Sequence, residues 1–558
     1  MISRADALQA IAADPFDVVV IGGGITGAGV ALDAASRGYS VALVERDDYA
    51  VGTSSRSSKM VHGGLRYLEQ LDLGLVREAL LERQLMVQLA PHLVYPTPFL
   101  IPSLGEDRPS RRLGVGLNMY DVMATTRVGF GRREAAERRQ ADDYWAPDRH
   151  RTISGEEVER MAPALAARQP NSAYLFYDCQ TDDVRLVLTI LGEAERFGAV
   201  MVNGCEVTEV LEKDGKLTGV ACKVQESGSR LEIQAERVVN ATGVWADRIR
   251  APGARDEDVP RIAPSRGSHL IFDQADLPVG GAACIVPASE GRTIFALPWY
   301  GRTLVGTTDN DYDGDIAEVQ PGEEDVLYLL NAVNSYFGLD LAPERIVGGY
   351  AGVRPLISTG DPQRSVDISR KAELYETDSG MLTITGGKLT TWRRMAKDVV
   401  DRLVERDGRE APCRTAEIQL GMPARPEDLD VPEGVELSKE TLDQLAFRYG
   451  HAAERVLEMT AEYAELAQPI VPGRPDILAE VSIAARDEQA RSVADVLLRR
   501  TRLGILAAPQ LRDADSVYPI AEELARELRW RKREIRHEAS EWLGDAEAEG
   551  VDPALDVT

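Results

Sequence analysis

Gly22-x-Gly24-x-x-Gly27 follows directly on the apolar run Phe16 to Ile21, and an acid, Glu45, stands eighteen positions beyond Gly27. Each of these residue types has a physical task in holding a dinucleotide. Gly22 permits a tight turn, Gly24 lets a pyrophosphate approach the backbone, and Gly27 lets a helix pack closely on a strand. A helix opening at Ile25 and Thr26 turns the positive end of its dipole toward the phosphates. Glu45, followed by Arg46, is placed to accept hydrogen bonds from an adenosine ribose, where an arginine would suit a 2′-phosphate. The glycine pattern does not separate FAD from NAD. The chain has no second G-x-G-x-x-G and no C-x-x-C pair, so it lacks the parts for passing electrons from NAD to a flavin through its own disulfide.

The elements that must position these residues are legible nearby. Phe16 to Ile21 has the continuous β-branched character of a strand buried on both faces of a parallel sheet. The small residues Gly27, Val30, Ala31, Ala34 and Ala35 make one face of a helix that ends at Arg37-Gly38, and Val41 to Val44 makes the next strand. The first 45 residues therefore read as a βαβ unit after a short helix over 1–13. Farther on, Val184 to Phe197 reads as helix. Val200 to Val210, Leu217 to Val224 and Leu231 to Ile233 read as a meander, and Val238 to Gly243 as a buried strand ending in a glycine turn. His269 to Phe272 and Thr303 to Gly306 read as strands. Met422 to Glu433 reads as a linker, and the helices expected beyond it are Lys439 to Tyr449, Ile477 to Arg500 and Tyr518 to Trp542.

The chain has 558 residues, 44% apolar and 28% charged, with 91 acids against 64 Lys plus Arg. The resulting net charge of −27 argues against a nucleic-acid binder, which would need a basic stripe. The run Arg526 to Arg536 is the most cationic stretch and is expected to be a helix with a solvated or surface-contacting face. Five dispersed cysteines read as free thiols in a reducing compartment, and no apolar run is long enough for a spanning helix. No His, Cys or acid cluster has metal-ligand spacing.

Past Glu45 the sequence runs Thr53-Ser54-Ser55-Arg56-Ser57-Ser58-Lys59-Met60-Val61-His62-Gly63-Gly64-Leu65-Arg66-Tyr67-Leu68. Further blocks are Asp178 to Leu186, Asn240 to Asp247, Ser265 to His269, Gly306 to Asp309, Ala351 to Leu356, Thr385 to Thr391 and Ala479 to Arg502. On these blocks the chain resembles the family of FAD-dependent glycerol-3-phosphate dehydrogenases of the aerobic, quinone-linked type.

The resemblance implies an α/β fold: a Rossmann-type FAD domain from 14–90, 170–250 and 345–400, interleaved with an antiparallel-sheet substrate domain from 91–169 and 251–344, of D-amino-acid-oxidase-like build. An all-helical domain over 405–545 follows. It implies FAD held by Gly22, Gly24, Ile25, Thr26, Gly27, Glu45 and Arg46, then by Thr53, Ser54, Ser55, Ser58, Lys59, His62, Gly63 and Gly64. Val207, Ala241, Thr242, Gly243, Gly387, Lys388, Leu389 and Thr390 complete that set. It also implies oxidation of sn-glycerol 3-phosphate to dihydroxyacetone phosphate, with electrons leaving to a membrane quinone.

The residue types suit that chemistry. A phosphate monoester wants fixed cations, and Arg66, Arg354, Arg370 and Lys388, with Tyr67, are the substrate candidates. A hydroxyl proton wants a base, and His269 is favoured as base or alkoxide-orienting group. A structural role for His269 stays the alternative, with Arg354 a further participant. The oxidase that makes hydrogen peroxide from oxygen is the alternative activity, and an amine or amino-acid oxidase a more distant one. Such an enzyme is expected in the cytoplasm, attached peripherally to the inner face of the cell membrane, with a homodimer left open.

Overall fold

A computed structural model describes residues 2–64, 73–104, 111–125, 149–289, 292–358 and 372–552. Arg66, Tyr67 and Arg370 lie outside the described residues. The buried run Phe16–Ile21 is a strand, paired in parallel with Val41–Val44 on one side and with the end of Arg230–Asn240 on the other. Val200–Val202 and Leu382–Thr385 extend this parallel sheet at its two sides, and Glu373–Glu376 closes one edge antiparallel. The hairpin Cys205–Lys213 and Lys216–Val224 runs off the strand Arg230–Asn240. Helices Ile25–Ser36, Asp183–Arg196 and Trp392–Asp407 pack together against the sheet. Their closeness depends on small residues: a Cβ at Gly29 would stand 2.6 Å from Cε3 of the fully buried Trp392.

The second sheet has ten strands, and it is mixed rather than purely antiparallel. Tyr95–Leu104 runs parallel to Ala283–Pro287, while its other pairings are antiparallel. Three strands belong to it that the expected boundaries assigned to the FAD domain: Met60–Val61 pairs with Pro170–Gln180, Pro170–Gln180 with Tyr95–Leu104, and Ile346–Ile357 with Ile262–Asp273. The chain crosses between layers after Pro170–Gln180, which leads into helix Asp183–Arg196 of the first layer. Alternation along a strand is the same whichever sheet it joins, so the pattern did not reveal membership.

Beyond residue 405 the chain is helical, but two expected helices are each broken. Ala479–Glu488 stops at Gln489, which takes φ +57°, before a wide turn over Asp495–Arg500. Gln489 is held there from outside the helix: its Oε1 accepts from Tyr49 Oη at 2.9 Å and its carbonyl from Asn203 Nδ2 at 2.9 Å. Similarly, Ala514–Leu528 and Lys532–Ala548 are separate helices with Arg529 at φ +58° between them. The turn lets Trp530 and the buried Trp542 pack on one core, so Arg526 to Arg536 is not a single helix face.

Buried charges fasten this helical region to the first sheet. Asp48 accepts from Arg499 at 2.6 Å and from both terminal nitrogens of Arg500 at 2.8 and 2.9 Å. Arg185 forms a fork with Glu488 at 2.5 and 2.8 Å, and Arg502 pairs with both Asp182 and Asp183.

Candidate active site

One large cavity, about 920 Å³, lies between the two sheets. Its first wall is the strand–glycine–helix turn. Gly22 has φ +109°, and a Cβ there would stand 2.8 Å from the carbonyl oxygen of Ala241. A Cβ on Gly27 would stand 1.9 Å from the Gly22 carbonyl oxygen. Gly23, to which the sequence reasoning assigned no task, is equally constrained, since its Cβ would meet Tyr49 Cδ1 at 2.7 Å. Ser54 Oγ accepts from the Ile25 N–H at 2.9 Å at the open end of the helix.

Glu45 accepts from the N–H groups of Gly23 at 2.7 Å and Asp47 at 3.0 Å. Burial pushes its carboxyl up to about 7 against the pull of those two donors. Val207, Ala241, Thr242 and Gly243 line the cavity on this side, as do Trp245 and Arg248. Arg46 stands with its guanidinium carbon 5.2 Å from the Trp245 ring centre. Trp245 lay inside the block Asn240 to Asp247 but carried no assigned role, and a Cβ at Gly52 would meet it at 2.9 Å.

The second wall comes from the other sheet. The register Ser265↔Arg354, Gly267↔Gly352 and His269↔Tyr350 sets His269 and Arg354 on one face of the paired strands, four positions apart with the two glycines between them. Arg354 donates to Asp309 Oδ1 at 3.0 Å and to the Thr308 carbonyl at 3.1 Å, and it lines the cavity with Lys388. His269 is 2% exposed. Its ring stacks on Tyr350 at 4.7 Å, its Nε2 lies 2.8 Å from Ser58 Oγ, and a Cβ on Gly306 would strike its Cδ2 at 2.3 Å. Burial, then the charges of Lys59 and Arg354, hold the imidazole well below its usual pKa.

Between the walls run two turns. His62 and Gly64 line the cavity, and the His62 N–H donates to Thr390 Oγ1 at 3.3 Å. Gly386 and Gly387, at φ +78° and +70°, turn the chain after Leu382–Thr385, and Gly387, Lys388, Leu389 and Thr390 face the cavity.

Four residues expected to touch the cofactor stand behind the wall instead. Lys59 is fully buried, donating to Asp183 at 2.7 Å and to the Ser55 carbonyl at 2.5 Å. Ser55 points its hydroxyl at the carbonyls of Val51 and Gly52. Gly63 turns its N–H to Tyr120 Oη at 3.0 Å, and Gly27 packs on the Gly22 turn. The serine-rich loop mixes inward and outward residues with no regular period, and sequence type does not say which are which. Thr53, Ser54 and Ser58 do face the cavity.

An apolar arm of the same cavity is lined by Phe99, Ile101, Phe176, Ile285 and Phe295. Met60 joins it, whereas Met86 packs against Trp392 Nε1 at 3.3 Å and Met119 is 38% exposed.

Residues 17–393 match the family described as FAD dependent oxidoreductase, and residues 381–535 match the C-terminal domain of alpha-glycerophosphate oxidase. Over 560 residues the chain is 36% identical to glycerol-3-phosphate dehydrogenase 2 of Mycobacterium bovis, covering 99% of this chain and 91% of that protein. The chain belongs to the FAD-dependent glycerol-3-phosphate dehydrogenase family. Its cofactor is FAD.

The aerobic glycerol-3-phosphate dehydrogenase of Staphylococcus saprophyticus is 35% identical over 510 residues, 87% of this chain and 86% of that one. The crystal structure of the glycerol-3-phosphate dehydrogenase from Bacillus halodurans complexed with FAD superposes with a TM-score of 0.74 at 27% identity. It covers 98% of this chain and 97% of that chain. The glycine cradle, which leaves no room for a Cβ at Gly22 or Gly27, fits the family's dinucleotide.

Proposed function

We propose that the chain oxidises sn-glycerol 3-phosphate to dihydroxyacetone phosphate and delivers the electrons to a membrane quinone. The observation that carries the reading is the meeting of Arg354, Lys388 and His269 on one cavity with the glycine cradle and Glu45. FAD, when bound, supplies the hydride acceptor. Gly22, Gly24, Ile25 and Thr26 offer backbone to its pyrophosphate, and Glu45 and Arg46 lie on the adenosine side. Val207 and Ala241 to Gly243 flank them. Thr53, Ser54, His62, Gly64 and Gly387 to Thr390 wrap the remainder. Arg354 and Lys388 grip the substrate phosphate, Arg354 being pre-aimed by Asp309 and the Thr308 carbonyl. His269, held neutral, is the acceptor for the substrate hydroxyl proton.

Purified protein should show a flavin spectrum that bleaches anaerobically with glycerol 3-phosphate, and no bleaching would overturn the substrate. Arg354→Ala should keep its flavin while the substrate concentration needed for half-maximal bleaching rises at least tenfold. An unchanged value would remove Arg354 from the phosphate grip.

Glu45 carries a second expectation. Ribose hydroxyls donating to a carboxylate favour its anion, so FAD uptake should lower a group that sits at about 7 in the free cradle. Binding of FAD to apoprotein near pH 7 should therefore release up to about half a proton, and affinity should rise with pH through that range. Calorimetry in two buffers of different ionisation heat measures this. No proton release, or release unchanged in Glu45→Gln, would count against the ribose contact.

The apolar arm favours a quinone ring over a polar acceptor. Reoxidation by a short-chain quinone with little peroxide would support it. A second reading, transfer to oxygen, draws on the match of residues 381–535 to the oxidase C-terminal domain. It predicts stoichiometric peroxide. Among the described residues no helix is long and apolar enough to cross a membrane. The exposed Val115, Met119 and Val122, at i, i+4 and i+7 on helix Arg111–Thr125, form one outward apolar stripe suited to peripheral attachment to a lipid surface.

A further inference from the structure

His269 lines the cavity, and each of its ring nitrogens has a different environment. Its Nδ1 is sealed from solvent without a hydrogen-bond partner among the described residues. Its Nε2 is covered by Ser58 Oγ at 2.8 Å. One ring face is occupied by Tyr350 and the Cδ2 edge by Gly306. Ser58 itself is half-buried and lines the cavity. A polar group in the cavity can therefore address Nε2 through the serine oxygen.

We propose that Ser58 Oγ is the atom that meets the substrate hydroxyl, and that it relays the proton to His269 Nε2. This deepens, and rests on, the proposed oxidation of glycerol 3-phosphate. In the step, the substrate O–H bond breaks and a new O–H bond forms on Ser58. The original Ser58 O–H bond breaks and an N–H bond forms at His269 Nε2. The electron pair of the substrate C2–H bond leaves with the hydride to FAD, and a carbonyl remains.

The surroundings are built to hold this pair. Ser57, the preceding residue, gives its carbonyl to Tyr350 Oη at 2.7 Å, and its own Oγ–H donates to Asp183 at 2.7 Å. Lys59, the following residue, takes φ +59° and is clamped to the same Asp183, which Arg502 holds from the helical region. A left-handed lysine is strained, and the buried clamp keeps it there. Thus the loop on both sides of Ser58 is fixed from behind, while the ring that Ser58 addresses is fixed by stacking. The charges of Lys59 and Arg354 disfavour a resting imidazolium, so the ring is a neutral acceptor before the step and gives the proton up again after it.

The test uses FAD-loaded protein, anaerobic stopped-flow reduction by glycerol 3-phosphate, and ¹⁵N-histidine NMR. Ser58→Ala should slow flavin reduction about a hundredfold, with flavin retained and a much smaller rise in half-saturating substrate. Ser58→Thr should recover most of the rate. The wild-type rate should fall in D₂O, and that solvent effect should change in Ser58→Ala. The double variant Ser58→Ala/His269→Gln should be no slower than the slower single one. The His269 Nε2 resonance, assigned by its loss in His269→Gln, should shift in Ser58→Ala.

Full-rate reduction in Ser58→Ala, or an unmoved Nε2 resonance, overturns the relay. If His269→Gln is slow while Ser58→Ala is not, the oxidation reading survives and the relay falls. If wild-type flavin is not reduced by glycerol 3-phosphate, both fall.

Discussion

Gly27→Ala is expected to yield a protein that purifies with little or no flavin. The substitution lies inside helix Ile25–Ser36, where alanine for glycine would ordinarily stabilise by about 0.5–1 kcal/mol. Here the added Cβ would stand 1.9 Å from the carbonyl oxygen of Gly22, a backbone atom with nowhere to go. The turn and the helix N-terminus must separate, and overpacking of this kind costs about 1–3 kcal/mol or more. What separates is the surface offered to the pyrophosphate, so the loss falls on cofactor affinity as well as on stability. Gly192→Ala, in helix Asp183–Arg196 with open space where its Cβ would go, is the control and should be neutral or stabilising. The ratio of flavin to protein absorbance and the melting temperature read both effects. Full flavin content in Gly27→Ala would sink the close-packing account.

Asp48→Ala should be the most destabilising single change at the junction of the helical region, costing about 3 kcal/mol. It removes the shared partner of Arg499 and Arg500, leaving them the ion pairs with Asp495 and Glu488 respectively. Burial pushes the Asp48 carboxyl up, but the guanidiniums of Arg500 and Arg499 outweigh burial and hold it at about 2. A carboxylate lowered from its ordinary value near 4 adds stability above pH 4, about 2 kcal/mol, and loses it as pH falls toward 2. Calorimetric melts of wild type and Asp48→Ala should therefore differ widely at pH 7 and draw together as pH falls through 3 toward 2. Equal melting at pH 7, or a gap as wide at pH 2 as at pH 7, would refute the pairing account.

What was readable along the chain was what neighbours in sequence decide. Phe16 to Glu45 declares a strand, a glycine turn, a helix and an acid, because all the interactions that define a βαβ unit fall within about 30 residues. Lys439–Tyr449 likewise matched its pattern residue for residue. His269 and Arg354 stood out by type within their blocks, and both reach the cavity. The failures share a cause. Strands Pro170–Gln180 and Ile346–Ile357 carry no mark of which sheet they will join, and the helix breaks at Gln489 and Arg529 answer to side chains packed from elsewhere.

The loop Thr53 to Lys59 shows the division most sharply. Sequence alone established that a serine-rich turn follows a dinucleotide-binding unit, and the family resemblance implied polar side chains near the cofactor. Only the tertiary structure decided that Ser58 faces inward to His269, 211 positions away, while Lys59 faces backward to Asp183 and Arg502. Adjacent residues in an irregular loop have no period to sort them. Their directions are set by which distant charge or ring can satisfy them once the chain is folded.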